Sequence, residues 1–175
     1  IQALDKAGLP KGLLSLVTGH GSEIGDYLTE HSGINMISFT GSTRTGKRLS
    51  QKSIMIPLVL ELGGKDPAIV CSDADLDVTV KNIIGGAFSY SGQRCTAVKR
   101  VLVDDKIADQ LVAKLKTAVE NLSVGSPADN STIVPLIDNK AADFVSNLID
   151  DALDKGATLV TGNHRDGNLL TPTLL

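Results

Sequence analysis

INMISFTG (residues 34–41) runs directly into STRTGKRLSQK (residues 42–52), and a second apolar run, IPLVLELG (residues 56–63), follows. The first run has strand length and carries β-branched and aromatic residues, and Gly41 and Ser42 then interrupt it. Serine is a favoured helix N-cap, so a helix is expected over Ser42–Lys52. Two strands joined through a helix do not form a hairpin; such a connection links parallel neighbours. The stretch therefore reads strand, helix, strand, and it sets the class as α/β.

The same alternation extends outward in both directions. Upstream lie a strand-like LLSLVTG (residues 13–19) and a helix at Ser22–Glu30, with Ser22 as a second N-cap. Downstream come DPAIVCS (residues 66–72), a helix at Leu76–Phe88, the strand KRVLVDD (residues 99–105) and a helix at Ile107–Leu122. A helix at Asn139–Lys155 and two more strands, ATLVTG (residues 157–162) and LLTPTLL (residues 169–175), complete the pattern. In the fourth helix Ile107, Leu111, Leu115, Ala118 and Leu122 recur at helical spacing, so one face packs on a sheet. Gly8 with Pro10 ends an opening helix, and Gly156 closes the last long one. The expected architecture is largely parallel sheets with flanking helices.

Composition narrows the function classes. The 175 residues are 42% hydrophobic and 21% charged, with a formal net charge of −3, which is ordinary for a globular domain. Acids and bases are interleaved and no basic stripe exists, so nucleic acid is not an expected partner. No apolar run approaches the roughly 20 residues of a bilayer span, and the first residues lack the order of a signal peptide; a cytoplasmic protein with no membrane partner is expected. The two cysteines, Cys71 and Cys95, form no disulfide framework, and no cysteine or histidine spacing suggests a metal. Cys71 closes an apolar run and reads as a buried, inert thiol. His20, His31 and His164 lie beside turn residues and read as surface positions. The chain opens in what resembles the end of a helix and closes on an apolar strand-like run, so a piece of a longer polypeptide is expected.

Three stretches carry chemistry. FTGSTRTGKR (residues 39–48) joins strand to helix, where free N–H groups and the helix dipole favour a bound phosphate. It is not a Walker loop, because Arg48 stands where a magnesium-binding hydroxyl is required, and it lacks the spacing G-x-G-x-x-G. A looser phosphate site and a simple tight turn at Gly41 both fit. Cys95 follows Ser89, Ser91 and Gly92 in a loop-forming stretch and sits between Arg94 and Thr96, as an accessible thiol beside a cation would. Glu61 interrupts the apolar run IPLVLELGG, where a desolvated carboxylate would suit a general base, and Gly63 and Gly64 after it permit close backbone approach.

Taken together, FTGST, LELGGK and GQRC resemble the aldehyde dehydrogenase superfamily, and YSGQRCTAVKRVLV is similar to its branch that oxidises glyceraldehyde 3-phosphate with NADP. The resemblance implies that Cys95 is the nucleophile, forming a thiohemiacetal and then a thioester, and that Glu61 activates the water that releases 3-phosphoglycerate. It implies that Gly41, Ser42, Thr43 and Gly46 line the cofactor pyrophosphate, that Leu62 lies against the nicotinamide and that Asp26 touches the adenosine end. Arg94 and Thr96 would meet the phosphorylated aldehyde, with the Cys95 N–H as half of an oxyanion hole. Residues 1–60 would be the rear of a Rossmann-like cofactor domain and residues 61–175 the front of a catalytic domain. NADP is implied, with NAD possible, since no residue that would read the 2′-phosphate is recognised. The family also implies a homo-oligomeric parent, and the segment alone is expected to be inactive. Two alternatives remain from the residues: a related dehydrogenase for another small acidic aldehyde, or a non-catalytic nucleotide-binding module.

Overall fold

The computed structural model describes residues 1–175. They form two compact units, Ile1–Leu62 and Gly63–Leu175. The first contains α1 (Gln2–Lys6), α2 (Gly21–Glu30), β1 (Ile37–Gly41), α3 (Thr43–Lys52) and β2 (Leu58–Leu62). β1 and β2 are parallel, in a register that sets Ile37 beside Leu58, Thr40 beside Glu61 and Gly41 beside Leu62. The strand–helix–strand reading of the opening stretch is thus the core of this unit. Ser42 is the N-cap of α3, its Oγ accepting from the Thr45 N–H at 3.1 Å. Gly46 is buried on α3 because the helix lies tightly on β2: a Cβ there would stand 2.7 Å from Leu62 Cδ2.

The second unit repeats the motif. β3 (Asp66–Val70) and β4 (Val98–Val103) are parallel, joined through α4 (Leu76–Phe88), and α5 (Asp105–Glu120) follows. Asp75 caps α4 by accepting from the N–H groups of Asp77 and Val78, and Asp104 caps α5. Val70, Ile83, Leu111 and Leu115 form the buried core, with Ala68, Val101 and Val103 packed against it. Burial of one such aliphatic side chain contributes roughly 1.5–3 kcal/mol. The opposite sheet face carries Ile69 and Leu102, both exposed. α6 (Asn139–Asp154) precedes a short antiparallel hairpin of β5 (Arg165–Asp166) and β6 (Leu169–Leu170).

Four expectations need correction. LLSLVTG forms no strand, and Leu13, Leu16 and Val17 are exposed; a strand exists only through a ladder, and no segment of the chain pairs with this one. ATLVTG and LLTPTLL are reduced to the short β6 and one isolated bridge between Thr161 and Leu174. Ser22 lies within α2, whose N-cap is His20. Cys71 is exposed, because β3 ends at Val70 and the thiol falls in the following turn.

Candidate active site

The segment bearing Cys95 is built by irregular backbone. α4 stops at Phe88, after which Tyr90 and Ser91 adopt φ of 54° and 55° and Gly92 φ of 68°. Left-handed conformation is unfavourable for non-glycine residues by about 1–2 kcal/mol each, so other contacts must hold it. Ser89 Oγ donates to the Gly85 carbonyl, and Ser91 Oγ accepts from the Val134 N–H at 2.9 Å. Residues Arg94–Ala97 then form a turn closed by the Ala97 N–H donating to the Arg94 carbonyl at 3.2 Å. Ala97 is buried at its base, while Cys95 and Thr96 stand exposed at its tip. No carbonyl in the chain accepts the Cys95 N–H. The thiol is accessible, as expected, and the amide of the same residue is left without an acceptor.

Arg94 does more than stand beside the thiol. Its Nη2 lies 3.5 Å from the Gly85 carbonyl and 3.4 Å from that of Gly86, so it caps the end of α4. Its guanidinium also lies over the Tyr90 ring, 5.6 Å from the centroid. Its Nε is buried with no hydrogen-bond partner. Such an orphan donor is rare and calls for a function.

Glu61 belongs to the first unit, at the end of β2, and the burial expected of it does not occur. The strand alternates, with Leu58, Leu60 and Leu62 turned inward and Val59 and Glu61 exposed, so the apolar run hides a period of two. Leu62, expected against the nicotinamide, packs on Gly46 instead of standing free.

The cofactor candidates cluster in the same unit. Gly41 ends β1 against the Phe39 ring, where a Cβ would stand 2.5 Å from Cζ, so a packing reason exists for this glycine. Ser42 and Thr43 open α3. The Gly46 N–H is satisfied by the Ser42 carbonyl and the Thr45 N–H by the Ser42 hydroxyl, which leaves the Thr43 and Arg44 amides as the free donors of the helix start. A groove beside it is lined by Gly21, Gly25, Asp26, Arg44, Thr45 and Arg48.

Asp26 is not free in this groove. Its carboxylate pairs with Arg48 and, at 3.0 Å, with Lys52, which also pairs with Glu30 at 2.7 Å. The hydrogen bond from Lys52, then that from Arg48, holds the Asp26 carboxyl below its ordinary range. Glu30, then Asp26, raises the Lys52 ammonium above its own. The staple joins α3, through Arg48 and Lys52 four residues apart, to α2, through Asp26 and Glu30 four residues apart. Its sign follows from linkage. The Asp26 contribution is present above the ordinary value of 3.8 and is lost as pH falls through the lower folded value. The Lys52 contribution is present below 10.5 and is lost as pH rises through the raised one. Asp26→Asn is expected to shrink the acid limb of α2–α3 unfolding, followed by NMR, and to weaken its salt sensitivity, the Lys52–Glu30 pair remaining. An unchanged acid limb would refute the staple.

No helix is long and apolar enough to cross a membrane. The aldehyde dehydrogenase family profile matches residues 1–175. The NADP-dependent glyceraldehyde-3-phosphate dehydrogenase of Streptococcus equinus is 57% identical over 99% of this chain and 36% of its own length. That of Scenedesmus vacuolatus is 55% identical over 100% of this chain and 75% of its own length. Among solved structures, the NADP-dependent glyceraldehyde-3-phosphate dehydrogenase from Bacillus halodurans C-125 complexed with NADP matches with a TM-score of 0.95 and 63% identity, over 98% of this chain and 36% of that one. The chain thus spans about a third of the length of most such relatives. A profile match from the first residue to the last, on an α/β chain with its cysteine at an exposed turn, means that the chain belongs to the aldehyde dehydrogenase family.

Proposed function

We propose that an enzyme of the relatives' length containing this segment oxidises glyceraldehyde 3-phosphate to 3-phosphoglycerate with NADP, through a thioester on Cys95. The observation that carries the substrate is Arg94, a cation that directly precedes the exposed thiol in the chain. Relatives at 57% and 63% identity with the corresponding name support the reading. Cytoplasmic location and homo-oligomeric assembly belong to the same proposal, carried by the resemblance.

In the proposed mechanism the Cys95 sulfur bonds to the aldehyde carbon, and the carbonyl oxygen becomes an oxyanion facing the free Cys95 N–H. Bound NADP supplies the hydride acceptor. The free amides of Thr43 and Arg44 and the groove along α2 and α3 fit a pyrophosphate and its adenosine, with Gly41, Ser42 and Gly46 shaping the helix start and Asp26 bordering the groove. The acyl group remains on Cys95 as a thioester. Glu61 takes a proton from water, whose oxygen bonds to the acyl carbon as the carbon–sulfur bond breaks, and the acid leaves with Cys95 restored. Thr96, exposed beside the sulfur, borders the substrate.

Charge-assisted hydrogen bonds contribute about 1.5–3 kcal/mol, so Arg94→Leu is expected to raise KM for glyceraldehyde 3-phosphate about 10- to 100-fold. KM for unphosphorylated glyceraldehyde should change much less, which separates the phosphate contact from the capping of α4. Equal effects on both substrates would favour a dehydrogenase for another small acidic aldehyde.

A further inference from the structure

We infer that Lys99 is a positioning residue that aims the Cys95 backbone N–H at the reacting oxygen; this rests on Cys95 being the nucleophile. Lys99 lies on β4 at the irregularity between the Asp66–Val98 and Pro67–Arg100 pairs, where it has no ladder partner. Its side chain folds back, and Nζ donates to the Arg94 carbonyl at 3.3 Å and to the Ala97 carbonyl at 3.2 Å. These two carbonyls bracket Cys95 and Thr96. Ordering a lysine side chain is entropically unfavourable, so an exposed lysine without such a task would extend into solvent. Lys99 also forms no ion pair with any carboxylate of the chain, and neither does Arg94.

The link to the reaction is the rigidity of the peptide bond. The Arg94 carbonyl and the Cys95 N–H belong to one planar unit and point in opposite directions. Whatever fixes the carbonyl therefore fixes the N–H. The Arg94 carbonyl accepts twice, from Ala97 N–H at 3.2 Å and from Lys99 Nζ at 3.3 Å, while the Cys95 N–H is left unbonded. An oxyanion donor held before the substrate arrives needs no reorganisation during the reaction, and losing such a donor outright lowers kcat about 10²- to 10³-fold. Loosening its aim is a smaller fault.

The test compares Lys99→Met and Lys99→Arg in the full-length enzyme. Lys99→Met keeps the stem and loses the donors; kcat should fall about tenfold, equivalent to ~1.4 kcal/mol, with KM for the aldehyde within about twofold. Lys99→Arg, which can still donate to both carbonyls, should recover most of kcat. In the 175-residue chain, amide exchange of Ala97 should quicken in Lys99→Met while the amides of β3 keep their rates. Unchanged kcat, a loss shared between kcat and KM, failure of arginine to rescue, or unchanged Ala97 exchange would each overturn the inference. Cys95→Ser in the same assay separates the two layers: full activity there would refute the nucleophile itself, whatever Lys99 does.

Discussion

Replacement of Cys95 by serine in the full-length enzyme is expected to lower aldehyde-dependent NADPH formation at least about 10⁴-fold, as loss of a nucleophile does elsewhere. A serine hydroxyl keeps the size of the group but is a poor nucleophile without a base to activate it. The control is Cys71→Ser, expected to leave the rate within about twofold. This pair is informative because exposure does not distinguish the two thiols: both are accessible. What distinguishes them is the backbone. Cys71 follows the end of β3, whereas Cys95 stands on a turn held by Ala97, Lys99 and the irregular Tyr90–Gly92 segment. Comparable losses in the two variants would remove the case for Cys95.

The second large effect concerns Glu61→Gln. The amide has the shape of the carboxyl group but cannot take a proton from water, and general-base catalysis contributes about 10²- to 10⁴-fold. Steady-state turnover is therefore expected to fall by about 10³-fold. The first turnover should survive, because attack by sulfur precedes the step in which the base acts. A rapid-mixing experiment should show a burst of NADPH close to one per active site, followed by a nearly flat phase. Loss of the burst together with turnover would assign Glu61 to an earlier step or to folding.

Much of the fold was legible because it rests on local pattern. α4 and α6 begin at the residues where periodicity starts, and the apolar stripe of α5 repeats at Ile107, Leu111 and Leu115. What was not legible depends on partners distant in sequence. LLSLVTG has strand composition, but composition supplies no neighbour to pair with. The alternation in β2 was masked because Val59, though apolar, shares the exposed face with Glu61. The hairpin of β5 and β6 has its local signal in Gly167-Asn168, the two-residue loop, with Gly167 at φ of 59°.

At the site, residue identities were readable and directions were not. Cys95 as an accessible thiol followed from its small and polar neighbours. Nothing in GQRC shows that Arg94 turns back on the end of α4 while leaving Nε without a partner. Likewise the engagement of Asp26 by Arg48 and Lys52 depends on how α2 lies on α3, which no single helix encodes.

The central claim is that the acyl group is carried by Cys95 and released through Glu61. The direct measurement is peptide mass spectrometry on the Glu61→Gln enzyme after one turnover with glyceraldehyde 3-phosphate and NADP, quenched in acid. A phosphoglyceroyl thioester on the peptide containing Cys95, absent without NADP, is the predicted result. An unmodified Cys95 peptide after a full burst, or the adduct on Cys71, would contradict it.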